Sequence, residues 1–371
     1  MTARRDRTES LGKAPSLARL SFASFSVFCL FLILRNADVA IAGMNRGLRL
    51  CATTVIPSLF PFMVISEWIL SLRIGRLLVR PFARPLRWLF RVSEEGACCM
   101  LLGILCGFPI GARCAMTALD NGRIPKNEAE RILASSCNPS SAFLINAVGI
   151  SLWGNRTFGI TLYATVILSQ LLIGFLLARL PLARSETLPT GARSSPENKK
   201  GASVFTEAVQ SSCFGMLLIC AYVVFFSTLG GTLEAVMAAW QLPSLASALT
   251  FCLLELSSGV SAAASLASPL LAALLCAFSV GWSGISVHCQ LLSVCDGRGL
   301  RFRAYFLAKL LQGALCVLFL WLLLLRFPSL LSPVQETGSL LPSSLLPLPL
   351  GTVLFLIALI PSFTKREKID R

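Results

Sequence analysis

Charge is scarce in this chain, and histidine and tyrosine are scarcer. Only 14% of the 371 residues are Asp, Glu, Lys or Arg, where soluble globular chains carry about 25%. A soluble domain is thereby excluded. With one histidine and three tyrosines, a histidine-built metal centre lacks material. His288 stands beside Cys289, but without a second spaced ligand it reads as a packed core residue, and no metal is expected. The fourteen cysteines include no CxxC pair, and most of them (Cys29, Cys98, Cys99, Cys106, Cys220, Cys252, Cys276 and Cys316) lie in apolar runs. A disulfide framework needs cysteines in exported loops, so these read as small buried hydrophobes. GxSxG, Walker lysine and HExxH motifs are missing, as are paired acids for hydrolysis. Neither an enzyme nor a cofactor is expected.

What is abundant is apolar surface. Hydrophobic residues make up 55% of the chain, mean hydropathy is +0.74, and apolar runs recur that match the length of about 20 residues a spanning helix needs. The expected class is an all-α polytopic membrane protein with the lipid bilayer as a partner. The net charge of +15 suggests nucleic acid at first sight. The basic residues, however, sit between apolar segments and are not interleaved with exposed aromatics, so nucleic acid is not expected.

Segments follow one another in a legible order. Residues 1–48 hold a basic N-terminus and a first apolar run, Leu20 to Leu34, read as an uncleaved helix although Ala40 and Ala42 supply an A-x-A pattern. A first repeat, 49–180, contains Cys51 to Leu72, Ala97 to Leu119 interrupted at GFPIG, Glu128 to Leu152 broken at Asn138-Pro139-Ser140-Ser141, and Phe158 to Ala178. A polar linker, 181–203, separates it from a second repeat, 204–327. That repeat contains Val204 to Leu229, Leu245 to Leu266 broken at Glu255 to Gly259, Pro269 to Val294 broken at Gly281 to Gly284, and Tyr305 to Leu325. Residues 328–371 hold a last helix, Leu345 to Ile360, and a basic tail. Both repeats have the same order of breaks.

Charge orients them. If GFPIG and ELSSG are tips of re-entrant hairpins while the other two broken segments cross, 28 of the 33 basic residues fall on one side, cytoplasmic by the positive-inside rule. The N-terminus, the Arg73 to Arg91 loop, the Arg123 to Arg131 turn, the linker and the Arg298 to Arg303 turn share that side. The hairpins then point from opposite sides, as in the inverted repeats of secondary transporters.

Irregular backbone at membrane depth is tolerated only where protein buries it or a wet cavity adjoins it. Gly107, Pro109 and Gly111 would turn the first hairpin; half-helix N-termini at such breaks suit an anion. Arg113 either neutralises an anionic substrate or snorkels to the surface. Asn138, Ser140 and Ser141 at the second break, Ser257 and Ser258 at the third, and Ser283 and Gln290 at the fourth offer amides and hydroxyls to a polar ligand. Glu255 is read as a coupling residue that carries a proton, with a structural pairing to Arg113 or cation ligation as alternatives.

Three blocks, GLRLCATTVIPSLFPFMVISEWIL, GFPIGARCAMTALDNGRIPKNEAERILASSCNPSSAFLINAVGISLWGN and VGWSGISVHCQLLSV, resemble the YlbJ family of sporulation integral membrane proteins, in the nucleoside recognition or Gate domain group. The resemblance runs from about Gly47 to about Leu311. It implies a core similar to that of concentrative nucleoside transporters, where two hairpins and two broken helices surround the substrate. It also implies transport of dipicolinate, a planar pyridine dicarboxylate, across the mother-cell-derived outer forespore membrane. The alternatives are a cation or nucleoside-like transporter, or a non-transporting membrane protein needed for spore assembly. Homo-oligomerisation stays open.

Overall fold

The computed structural model describes residues 17–71, 85–179 and 201–331, whose regular elements are all helices, with no strand among them. The expected last helix, Leu345 to Ile360, most of the linker and most of the arginine-rich loop lie outside the described residues. Helix α1 (Leu17–Arg35) is followed by α2 (Ala37–Leu50), a π-helical turn Cys51–Val55, and α3 (Ile56–Ser71). Then come α4 (Glu94–Cys106), α5 (Ile110–Asp120), α6 (Lys126–Ser136), a π-helical segment Phe143–Leu152, and α7 (Arg156–Leu177). The second half contains α8 (Gly201–Ala239), α9 (Ser244–Leu254), α10 (Leu256–Ala264), α11 (Pro269–Trp282), α12 (Gly284–Cys295) and α13 (Arg303–Arg326).

Five helical stretches among the described residues are long and apolar enough to cross a membrane: Ala37–Ile65, Arg156–Leu177, Val204–Ala239, Pro269–Cys295 and Arg303–Arg326. The first begins well before Cys51, where the sequence places its start. Asp38, Arg46 and Arg49 hide that extension from a hydropathy reading; in the structure Arg46 meets Glu234 of α8 at 3.3 Å, so the polar face of α2 is accommodated by a neighbour. The A-x-A pattern falls inside this helix, with Ala40 buried. On α1, Phe25, Val27, Phe28, Leu30 and Phe31 are exposed, as expected of a lipid-facing helix.

Both hairpins form. Helices α4 and α5 pack on each other, and Arg123, just past α5, lies 3.8 Å from Glu95 at the start of α4, so the chain returns to the side it came from. The second hairpin, α9 and α10, turns at one residue, Glu255, whose extended backbone (φ −147°, ψ 129°) ends one helix and starts the next. Across its arms the Cys252 thiol donates to the Gly259 carbonyl at 3.4 Å.

The broken helices divide their halves between two cores. One core joins the first hairpin and α6 to Leu291 and Cys295 of α12 and to Tyr305 of α13. The other joins Phe143 to Val148, after the second break, to the second hairpin, α11 and the far end of α13. Each broken helix therefore begins in the core of its own hairpin and ends in the core of the other hairpin. Apolar burial on this scale, about 25 cal/mol per Å², fixes the breaks between the two cores.

Candidate functional site

All four breaks converge. A cavity of about 50 Å³ is lined by Phe108 from the first, Asn138, Pro139 and Ser140 from the second, Glu255 and Ser257 from the third, and Ser283 and Gln290 at and beyond the fourth. Val55, Leu59, Ile219 and Val223 supply its apolar wall.

Within each half, the hairpin tip is held against the break of the broken helix by backbone contact. Gly107 has φ +75°, and a Cβ there would stand 2.7 Å from the Ser140 nitrogen and 2.8 Å from the Asn138 carbonyl oxygen. The next amide, Phe108 N–H, donates to that same carbonyl at 2.7 Å. In the second half Gly284 has φ +80° and its Cβ would stand 3.0 Å from the Glu255 Cα and the Leu256 nitrogen. Only glycine takes such a backbone at so close an approach without strain.

Glu255 is buried. Its Oε1 accepts from the Ser257 amide at 2.9 Å and its Oε2 from the Ser258 amide at 2.6 Å, so the carboxylate caps α10. This corrects the picture of a half-helix N-terminus waiting for a ligand: at the third break the chain's own carboxylate takes the first amides. At the first and fourth breaks, by contrast, no side chain caps α5 or α12.

The second break carries a polar network. Lys309 of α13 is 1% exposed, and its Nζ donates to the Cys137 carbonyl at 3.0 Å, to Asn138 Oδ1 at 3.2 Å and to Gln312 Oε1 at 2.9 Å. Gln312 Nε2 donates to Asn138 Oδ1 at 2.7 Å, and Asn138 Nδ2 donates to Gln170 Oε1. Sequence reasoning named Asn138 but missed Lys309, Gln312 and Gln170: Lys309 is among the 28 basic residues that the charge count puts on the cytoplasmic side, and it lies instead inside the protein. The signal was present, because a lysine inside FLAKLLQGAL has no water to reach and a glutamine three positions on shares its helix face.

Two larger cavities flank the centre. One, of about 330 Å³, is lined by Pro109, Arg113, Thr117, Phe214, Ser293 and Arg298 among others, and shares Phe108, Ile219 and Gln290 with the central cavity. The other, of about 590 Å³, is lined by Arg46, Arg49, Glu234, Met237, Ser258 and Ser261 among others. Phe214 and Met237 both lie on α8, about 34 Å apart at 1.5 Å per residue, so one cavity borders the middle of that helix and the other its C-terminal end, with Val223 of the central cavity between.

No family model matches the chain, and no solved structure matches it. A curated protein does: the sporulation integral membrane protein YlbJ of Bacillus subtilis (strain 168) is 26% identical over 338 residues, covering 82% of each chain. This chain is thus similar to a YlbJ protein over most of its length. The similarity agrees with the multi-pass helical architecture and extends the resemblance carried by the three sequence blocks to 82% of the chain.

The site residues expected from sequence separate into three groups, with Ser141 outside all of them. Asn138, Ser140, Glu255, Ser257, Ser283 and Gln290 line the central cavity. Pro109 and Arg113 line the first flanking cavity and Ser258 the second. Gly107 and Gly111 act through backbone approach, Gly111 lying against Gly103 and Gly107 against the second break. Ser141 is buried beside Ser140 without lining the cavity. Arg113 does not pair with Glu255: it meets Glu67 at 3.3 Å and donates to the Ser211 carbonyl at 3.1 Å and hydroxyl at 2.6 Å. His288 accepts or donates at Nδ1 to the Tyr305 hydroxyl at 2.8 Å and packs edge-on to Trp282. No cluster of three metal-ligating side chains occurs among the described residues.

Proposed function

We propose that the protein is a carrier for a small organic anion, with dipicolinate as its substrate, working by alternating access about two inverted repeats. The observation that carries this reading is the convergence of four backbone breaks on one cavity, with a larger arginine-lined cavity on either side of it along α8. Inversion is supported by the exchange of broken-helix halves between the two cores, and by the two hairpins bordering opposite flanking cavities. Arg113 and Arg298 at one mouth and Arg46 and Arg49 at the other would raise the local concentration of an anion. Uncapped half-helix N-termini at Ile110 and Gly284 would then meet its carboxylates.

The central cavity, at about 50 Å³, is narrow for a pyridine dicarboxylate. On this reading it is the closed state, and the hairpin tips separate from the opposing breaks in turn to admit the ligand from either mouth. Glu255 would serve as the coupling residue, its carboxylate exchanging a proton when the second hairpin moves. The N-terminus and the basic turns would be cytoplasmic, and the membrane, in a spore former, the outer forespore membrane. The relative's name, a sporulation membrane protein, supports that setting.

The test is flux of radiolabelled dipicolinate into proteoliposomes with and without a pH gradient. Saturable uptake that Arg113→Gln and Glu255→Gln each reduce is expected. Absence of uptake by correctly folded protein, or uptake indifferent to both substitutions, would overturn the assignment.

A further inference from the structure

We propose that Lys309 supplies a tethered cation: its ammonium fills a three-oxygen site at the second break that would otherwise hold a free monovalent cation. The donor inventory carries this. The three atoms facing Nζ are the Cys137 carbonyl, Asn138 Oδ1 and Gln312 Oε1, all acceptors, and an ammonium has three donors and no acceptor. A neutral amine would leave its lone pair against an oxygen.

The amide orientations are fixed by the same network. Gln312 Nε2 gives its hydrogen to Asn138 Oδ1 at 2.7 Å, and Asn138 Nδ2 gives one to Gln170 Oε1. Turning Gln312 over would set its NH₂ against the ammonium, and turning Asn138 over would set its NH₂ against both the ammonium and the Gln312 NH₂. Every polar group around Nζ therefore presents oxygen.

Position supplies the rest. Cys137 follows the last residue of α6, so its carbonyl belongs to the negative end of a half-helix, where carbonyls lack intrahelical partners. Broken membrane helices use such ends, with side-chain oxygens, to coordinate cations. Lys309 has no carboxylate partner among the described residues and is 1% exposed, so carbonyl and amide dipoles balance its charge alone. The inference stands independently of the transport reading, because its test reads stability and not flux.

Full-length protein in nanodiscs is melted in sodium, potassium and choline chloride at equal ionic strength. Wild type is expected to melt at one temperature in all three. Lys309→Ala is expected to melt lower in choline and to recover by at least about 3 °C, saturably, in sodium or potassium. Adding Asn138→Leu to that variant should abolish the recovery. A folded Lys309→Ala protein indifferent to the cation would overturn the inference, as would cation dependence in wild type. Where Lys309→Ala does not accumulate, Gln312→Glu and Gln312→Leu decide: the carboxylate keeps an acceptor for the ammonium but loses the bond to Asn138 Oδ1, so it should melt below wild type and above the leucine variant, and equal losses would overturn the inference.

Discussion

Phe108 and Asn138 are joined backbone to backbone, the amide of one donating to the carbonyl of the other at 2.7 Å, so the tip of the first hairpin is fastened to the break in the next helix. That bond requires Gly107 beside it, since a side chain there would enter the Ser140 and Asn138 backbone. Gly107→Ala should cost about 2 kcal/mol or more, positive φ and overlap combined. Gly154→Ala is the control, because Gly154 also has positive φ (+59°) but nothing within 4 Å of its Cβ position; about 1 kcal/mol is expected. Thermal melts of the two variants compare them directly.

Glu255 caps α10 through both oxygens. Glu255→Gln turns one acceptor into a donor facing an amide and should lower stability by about 1 to 2 kcal/mol. Glu255→Asp, too short to reach both amides, should lose a similar amount while keeping the charge. Flux measured beside the melting temperature separates the two effects: on the coupling reading the pH-gradient dependence disappears in the glutamine variant and survives in the aspartate variant.

Asn138 is shared by Lys309, Gln312 and Gln170, so its removal strands three buried polar groups at once. Asn138→Ala should destabilise by about 3 kcal/mol or more. Gln170→Ala removes only the outermost member and should cost about 1 kcal/mol. Comparable losses in the two variants would contradict the connectivity.

Arg298 grips Asp120 with two bonds, Nε to Oδ1 at 2.8 Å and Nη2 to Oδ2 at 2.7 Å. The guanidinium holds the Asp120 carboxyl below its ordinary value, more strongly than the opposing effect of burial. Its contribution is therefore complete above the unfolded carboxylate range, near pH 4, and is lost as pH falls through the lower folded value. Because the pair is partly exposed, Asp120→Asn should cost under about 1 kcal/mol, and the cost should shrink with added salt. A melting series in pH and salt checks both.

The paired turns at Asp120 and Arg298 also bear on how much was legible beforehand. Basic composition alone assigned the Arg123 to Arg131 and Arg298 to Arg303 turns to one side, and the observed Asp120–Arg298 and Arg123–Glu95 pairs bring together the segments that reading joined. The helical class, both hairpins and all four breaks were readable because glycine, proline and polar pairs are conspicuous in an apolar run and membrane depth tolerates them only under cover. Composition and local order determine such features.

Partnership was another matter. That Arg113 turns to Glu67 and Ser211, and that Lys309 lies under the second break, depend on which helix packs beside which. The long extension of the second helix to Ala37 was masked by its charged residues, and the acid partner of Arg46, Glu234, is distant in sequence. A charged residue in an apolar run announces that it needs a partner, because hydrocarbon cannot solvate it; only the packing of distant segments decides which partner it finds.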